Sequence, residues 1–107
     1  MSLSTHVLDA VHGRPAHGVP VRLERRGADG GWTLLIERVT GIDGRIADLS
    51  TGLAAGCYRL VFDTEHYLGP ESFYPEVVIT FRAEGAGQHY HVPLLLSPFA
   101  YSTYRGS

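Results

Sequence analysis

The segment His89-Tyr90-His91-Val92-Pro93-Leu94-Leu95-Leu96 carries two messages at a spacing of two. In an extended chain successive side chains point to opposite faces, so Tyr90, Val92, Leu94 and Leu96 share one face and His89, His91, Pro93 and Leu95 the other. The first set is core material. The second is too apolar for open water and too polar for a dry core, which fits a subunit contact or the wall of a cleft. A surface strand with two incidental histidines is the alternative.

Working outward, the same period recurs. Tyr101–Tyr104 is a short extended piece after this strand, and Glu76–Arg82 before it places Val77, Ile79 and Phe81 on one face. Gly85-Ala86-Gly87 is the turn between the two long strands. Cys57–Asp63 is a strand with Tyr58, Leu60 and Phe62 together. Val19, Val21 and Leu23 alternate, and Trp32, Leu34 and Ile36 alternate in turn, predicting a hairpin through Ala28-Asp29-Gly30-Gly31. Thr5–Leu8 and Arg45–Leu49 are shorter strands, the latter entered through the turn Asp43-Gly44, and Gly52–Gly56 is a loop. Thr64–Pro75 holds Gly69-Pro70 and Tyr74-Pro75 and leaves room for at most one short helix. Seven or eight short strands at this spacing predict an all-β sandwich of two antiparallel sheets.

Composition agrees. The chain has 107 residues, 44% apolar and 19% charged, with 13 Gly and 6 Pro. That is a single domain, 1–107, rich in turns, with no room for a second core. A domain this small has little volume for an internal pocket, so a site should be shallow or built between subunits. A net charge of -2 gives no electrostatic reason to bind nucleic acid or a membrane surface. One cysteine excludes an internal disulfide and a thiolate metal site. No apolar run approaches a membrane span and no secretory leader is visible, which predicts a cytoplasmic protein.

The 9 basic residues are all arginine, and there are 6 histidines. Without lysine no phosphate loop can be completed, no serine sits in a nucleophile elbow, and Cys57 has no local histidine partner. Direct attack by water is therefore the simplest enzymatic chemistry. His6 lies between Thr5 and Val7, and near His91 the two imidazoles could move protons near neutral pH. Each is otherwise a structural histidine. Read as a zinc site, His6, His89 and His91 make a weak motif without a fixed third spacing. Arg45, just after the Asp43-Gly44 turn, offers a planar guanidinium to carbonyl or anionic oxygen, or is an ordinary surface charge. Tyr101 and Tyr104 are amphipathic anchors in a terminus that otherwise frays. His12, His17 and His66 take no role.

Three stretches carry a family resemblance: Leu3-Ser4-Thr5-His6-Val7-Leu8-Asp9, Asp43-Gly44-Arg45, and the closing run His89–Ser107. Together with Phe73-Tyr74-Pro75-Glu76 they resemble the 5-hydroxyisourate hydrolases, the enzyme branch of the transthyretin-like proteins, over nearly the whole chain. The resemblance implies a transthyretin-like (prealbumin-like) sandwich and a homotetramer with sites at a dimer–dimer interface. It also implies hydrolysis of 5-hydroxyisourate to 2-oxo-4-hydroxy-4-carboxy-5-ureidoimidazoline without metal or organic cofactor.

By motif, His6, Arg45, His91 and Ser107 are the expected catalytic residues. Tyr104 joins Arg45 and Ser107 in substrate binding, and His89 and Tyr101 support the site or an interface. His6 is favoured for activating water, with the assignment between His6 and His91 open. Two departures stand out: Ala100 where the family commonly has Gly, and a shortened stretch between Phe62 and Phe73 where relatives carry a helix. The rival reading is a non-enzymatic prealbumin-like carrier or binding module, which Val19–Phe62 also resembles.

Overall fold

Strict alternation of half-buried and buried residues runs through the first strand, β1 (Ser2–Asp9), and places Leu3, Thr5, Val7 and Asp9 inside. The computed structural model describes residues 2–50, 52–85 and 87–106. Expected turn residue Ala86 and candidate Ser107 lie outside them. After β1 follow β2 (Arg14–Pro15), β3 (Pro20–Arg26), β4 (Trp32–Val39), β5 (Arg45–Ser50), β6 (Gly56–Phe62), α1 (Thr64–Leu68), β7 (Val77–Ala83), β8 (His89–Leu96) and β9 (Tyr101–Thr103).

Two sheets result, as the alternation predicts. One runs β2-β1-β8-β9 with β5 also paired to β1, and the other runs β4-β3-β6-β7. Their inner faces bury Tyr58, Phe62, Leu23 and Leu60 from one sheet against Leu3, Val7, Leu94 and Leu96 from the other. Tyr90 and Val92 complete the apolar face read from β8. No helix among the described residues is long and apolar enough to cross a membrane.

Three details differ from the expectation. The sheet containing β1 is mixed, because β1 and β8 run parallel from Ser2 opposite His89 to Asp9 opposite Leu96. Side-chain alternation is the same in either direction, so sequence period cannot distinguish them. The described residues form nine strands rather than seven or eight. The additional one is the two-residue β2, too short to show a period. A register shift between Leu23 and Glu24 places Ile36 opposite Leu23 but Leu34 opposite Glu24. The extra residue is Leu35, and such a bulge reverses the facing. Ile36 therefore packs on the core while Leu34 is exposed and Trp32 lies under the Arg59 guanidinium at 4.2 Å.

The one short helix agrees with the expectation. The shortened segment still forms α1, because Asp63 caps it by accepting from the His66 N–H at 3.2 Å, and Gly69 at φ 91° closes it with an N–H donated to Glu65 O at 2.8 Å. Its Tyr67 hydroxyl donates to Asp9 Oδ2 at 2.7 Å and ties the helix to the end of β1. Ala100 carries no left-handed strain, since no described residue except glycine has positive φ. Its carbonyl accepts from Ser97 N at 3.0 Å and holds the turn before β9.

Candidate active site

β1 sits between β5 and β8, and its outward residues meet outward residues from both. His6 lies opposite Arg45 on β5 and opposite Pro93 on β8, while Ser4 lies opposite His91. Because His91 and Pro93 are two apart, His6 and His91 are diagonal neighbours on one sheet face, the relationship that brings long side chains into reach. Three residues far apart in sequence are thus gathered by strand register alone. His6 Nε2 is buried without a hydrogen-bond partner among the described residues.

The turn before β5 aims Arg45. Asp43 Oδ1 accepts from Arg45 N at 3.0 Å, and Gly44 N donates to Gly41 O at 2.9 Å. Gly44 has φ 75°, and its carbonyl accepts from Val7 N at 2.8 Å, which presses the turn onto β1. A side chain here would run into the Val7 carbonyl and stand 3.0 Å from Pro15 Cβ. The Arg45 side chain is exposed and makes no ion pair among the described residues. Its cation is therefore available to an oxygen of a bound molecule.

His91 is half-buried, and burial first, then the Arg45 cation, then His6 and His89 hold its pKa below the usual histidine value. A neutral imidazole is a proton acceptor at neutral pH. Its Nδ1 is bonded to Ser4 Oγ at 2.8 Å, which leaves Nε2 for chemistry. Exposed His89 shares the same serine at 3.1 Å through Nε2.

The terminal segment returns along β8. Thr103 Oγ1 donates to Pro93 O at 2.7 Å, Arg105 stacks over the Tyr90 ring at 4.7 Å, and Gly106 N donates to His91 O at 2.8 Å. Tyr104 is 60% exposed and lines a shallow cleft with His91, Val92 and Phe81 at the open edge between β7 and β9. Tyr101 is not brought to the histidines: it pairs with Leu96 at the far end of β8 and packs edge-on to Tyr74 at 5.3 Å. His12 belongs to another cluster, with Nδ1 at 2.8 Å from Asp9 Oδ2. Among the described residues no group of three or more His, Cys, Asp or Glu is gathered as a metal would require, so the histidine triplet does not form a zinc cage.

Two contributors escape the sequence reading. Ser4 bonds both His89 and His91, and its signal was the Ser2-Ser4-His6 alternation, which passes for an ordinary solvent face. Gly106 packs on the His91 ring, and a glycine near a terminus carries no periodic signal at all.

The chain is a transthyretin-like two-sheet sandwich, and on one outer face it carries a histidine–arginine cluster. Residues 3–106 match the HIUase/Transthyretin family, and the chain belongs to it. The mouse protein named 5-hydroxyisourate hydrolase (Mus musculus) is 48% identical over 111 residues, covering 98% of this chain and 94% of that one. Among solved structures, Klebsiella pneumoniae 5-hydroxyisourate hydrolase superposes with a TM-score of 0.86 at 40% identity, with both chains covered at 100%. Sea bream transthyretin in complex with thyroxine superposes with a TM-score of 0.93 at 39% identity, covering 99% and 95%.

Proposed function

We propose that this chain hydrolyses 5-hydroxyisourate to 2-oxo-4-hydroxy-4-carboxy-5-ureidoimidazoline by direct attack of water. The supporting observation is the convergence of His6, Arg45 and His91 on one sheet face, where burial and the Arg45 cation lower the His91 pKa. The substrate is a planar oxidised purine whose N1–C6 bond must open. Neutral His91 takes the proton of the attacking water. Arg45 holds the carbonyl oxygen and stabilises the negative charge that grows there as the C–O bond forms. His6, whose buried Nε2 is unpaired among the described residues, stands beside Arg45 to help orient the ring or the water. By the family motif, Tyr104 and Ser107 contribute to substrate binding, and Tyr104 lines the cleft beside His91. The residues supply acid–base and electrostatic catalysis themselves, and the reading assigns no step to a cofactor.

An open sheet face leaves a small planar molecule wet on one side. We therefore infer that a second pair of subunits covers it, in a homotetramer with the sites at the dimer–dimer interface. The fold alone is equally compatible with a carrier, given the likeness to a thyroxine-bound transthyretin. A carrier has no use for an aligned base and guanidinium. Initial rates of ultraviolet absorbance loss with freshly generated 5-hydroxyisourate decide between them. Acceleration over the spontaneous background is expected, and saturable binding without acceleration would favour the carrier.

A further inference from the structure

Four side chains on the outer face of β1 and β8 are joined end to end. Ser2 Oγ meets His89 Nδ1, His89 Nε2 meets Ser4 Oγ at 3.1 Å, and Ser4 Oγ meets His91 Nδ1 at 2.8 Å. The parallel register builds this chain, since Ser2 lies opposite His89 and Ser4 opposite His91. Two serines at a spacing of two therefore meet two histidines at the same spacing.

A serine hydroxyl has one proton to give and lone pairs to receive. Where one of the two imidazole nitrogens it meets bears a proton and the other is bare, the hydroxyl accepts from the first and donates to the second. Two arrangements satisfy that condition. In one, His91 Nδ1–H donates to Ser4, and Ser4 O–H donates to His89 Nε2. In the other, His89 Nε2–H donates to Ser4, and Ser4 O–H donates to His91 Nδ1. Passing between them moves one proton charge across the serine without moving a heavy atom.

We propose that Ser4 is a positioning residue that relays protons between His91 and His89 during turnover, so that the positive charge produced on deprotonating water rests on exposed His89. The proposal builds on the hydrolase reading above. The proton of the attacking water goes to His91 Nε2, and the oxygen electron pair forms the bond to the carbonyl carbon. At the same time the His91 Nδ1 proton passes to Ser4 Oγ, and the Ser4 proton passes to His89 Nε2, leaving His91 neutral and His89 an imidazolium. When the ring C–N bond breaks, the nitrogen takes the proton from His91 Nε2. His91 then recovers one from Ser4, and Ser4 recovers one from His89. Every group ends as it began.

The surroundings favour this division of labour. A cation on His91 would stand half-buried, facing Arg45 of β5, His6 of β1 and His89 of its own strand. Within the chain His89 is the more exposed of the two imidazoles, so a cation there is less desolvated than one on His91, with Ser2 accepting from its second ring nitrogen.

The test is initial-rate hydrolysis of fresh 5-hydroxyisourate by the intact protein, with the spontaneous rate subtracted. Ser4→Ala and His89→Asn should each lower kcat at least ~10-fold with KM within about twofold, a part of what a full acid–base group contributes. The double variant should lose no more than either single one, because both break the same chain. Ser4→Thr keeps the hydroxyl and should recover most of the lost kcat. In mixtures of light and heavy water the wild-type rate should curve with deuterium fraction, reporting several protons in flight, and the Ser4→Ala rate should be linear. Should Ser4→Ala fail to fold, His89→Asn and the wild-type curve decide alone. Wild-type kcat in Ser4→Ala and His89→Asn, or a linear wild-type plot, with His91→Asn inactive, overturns the relay and leaves the hydrolase reading intact. No acceleration by the wild-type protein overturns both.

Discussion

Gly106 lies flat against His91. Its N–H donates to the His91 carbonyl at 2.8 Å, and a Cβ on it would stand 2.5 Å from His91 Cδ2. The terminal segment thus fixes the imidazole through the absence of a side chain. Gly106→Ala must move either the ring or the tail. A misplacement of about 1 Å at a reacting group can cost on the order of 100-fold, so kcat is expected to fall ~10- to 100-fold with the circular dichroism unchanged. An unaltered kcat would show that the ring is held by other contacts.

Arg45→Lys tests charge against geometry. Lysine keeps the cation but loses the planar fork aimed by the Asp43-Gly44 turn. Losing an oxyanion donor costs roughly 100-fold or more in kcat, so Arg45→Lys should fall well below wild type. His6→Ala and His91→Asn should fall with it. Wild-type rates in all three, with the assembly intact by light scattering, would remove this face from the reaction.

Arg45 also bears on the titration of His91. A neighbouring cation disfavours imidazolium, so Arg45→Met should raise the His91 pKa, read from its imidazole resonances in an NMR titration. The sign for stability follows from the depressed value. The unfolded chain takes up the proton first, so the contribution of His91 is whole above the model-peptide pKa of about 6.5 and declines as pH falls through it. An activity profile that loses its acid limb only below that value agrees. A limb above it would mean that the essential base is a different group.

Asp9 makes a separate prediction at lower pH. It is 4% exposed and accepts from the backbone N–H groups of Val11 and His12, the His12 ring and the Tyr67 hydroxyl. Burial works to raise its pKa, but these donors outweigh burial and bring it from 3.8 to about 2. Stability from this carboxylate is therefore complete above 3.8 and lost as pH falls toward 2, amounting to about 2 kcal/mol. Asp9→Asn should flatten that part of the acid unfolding curve. Tyr67→Phe removes one donor and should cost roughly 1–2 kcal/mol in urea unfolding, with α1 loosening first by hydrogen exchange.

What the sequence made legible is what period two can express. The faces of β8, β6 and β3 followed directly from Tyr90-Val92-Leu94-Leu96, Tyr58-Leu60-Phe62 and Val19-Val21-Leu23. Strand direction is not encoded there, so the parallel meeting of β1 with β8 stayed hidden, and with it the pairing of Ser4 with His91. The strand at Thr5–Leu8 proved longer, Ser2–Asp9, because Ser2, Ser4 and Asp9 are polar residues at its ends. Asp9 was invisible as an interior residue for the same reason, since only its donors make burial tolerable. For α1, Gly69-Pro70 and Tyr74-Pro75 limited the segment to one short helix, and Asp63 marks where it starts. Arg45 was visible through its turn, whereas Gly106 acts only by what it lacks.

The parallel β1–β8 pairing has a consequence for biogenesis. Ser4 and His91 are 87 positions apart, so β1 emerges from the ribosome long before its central partner exists. Until then its other neighbour, β5, can cover only one side. Contacts this distant along the chain close late and slowly. The histidine face is therefore assembled after translation, when the first strand docks beside one of the last, and a nascent chain stopped before β8 would carry His6 and Arg45 without the imidazole they face.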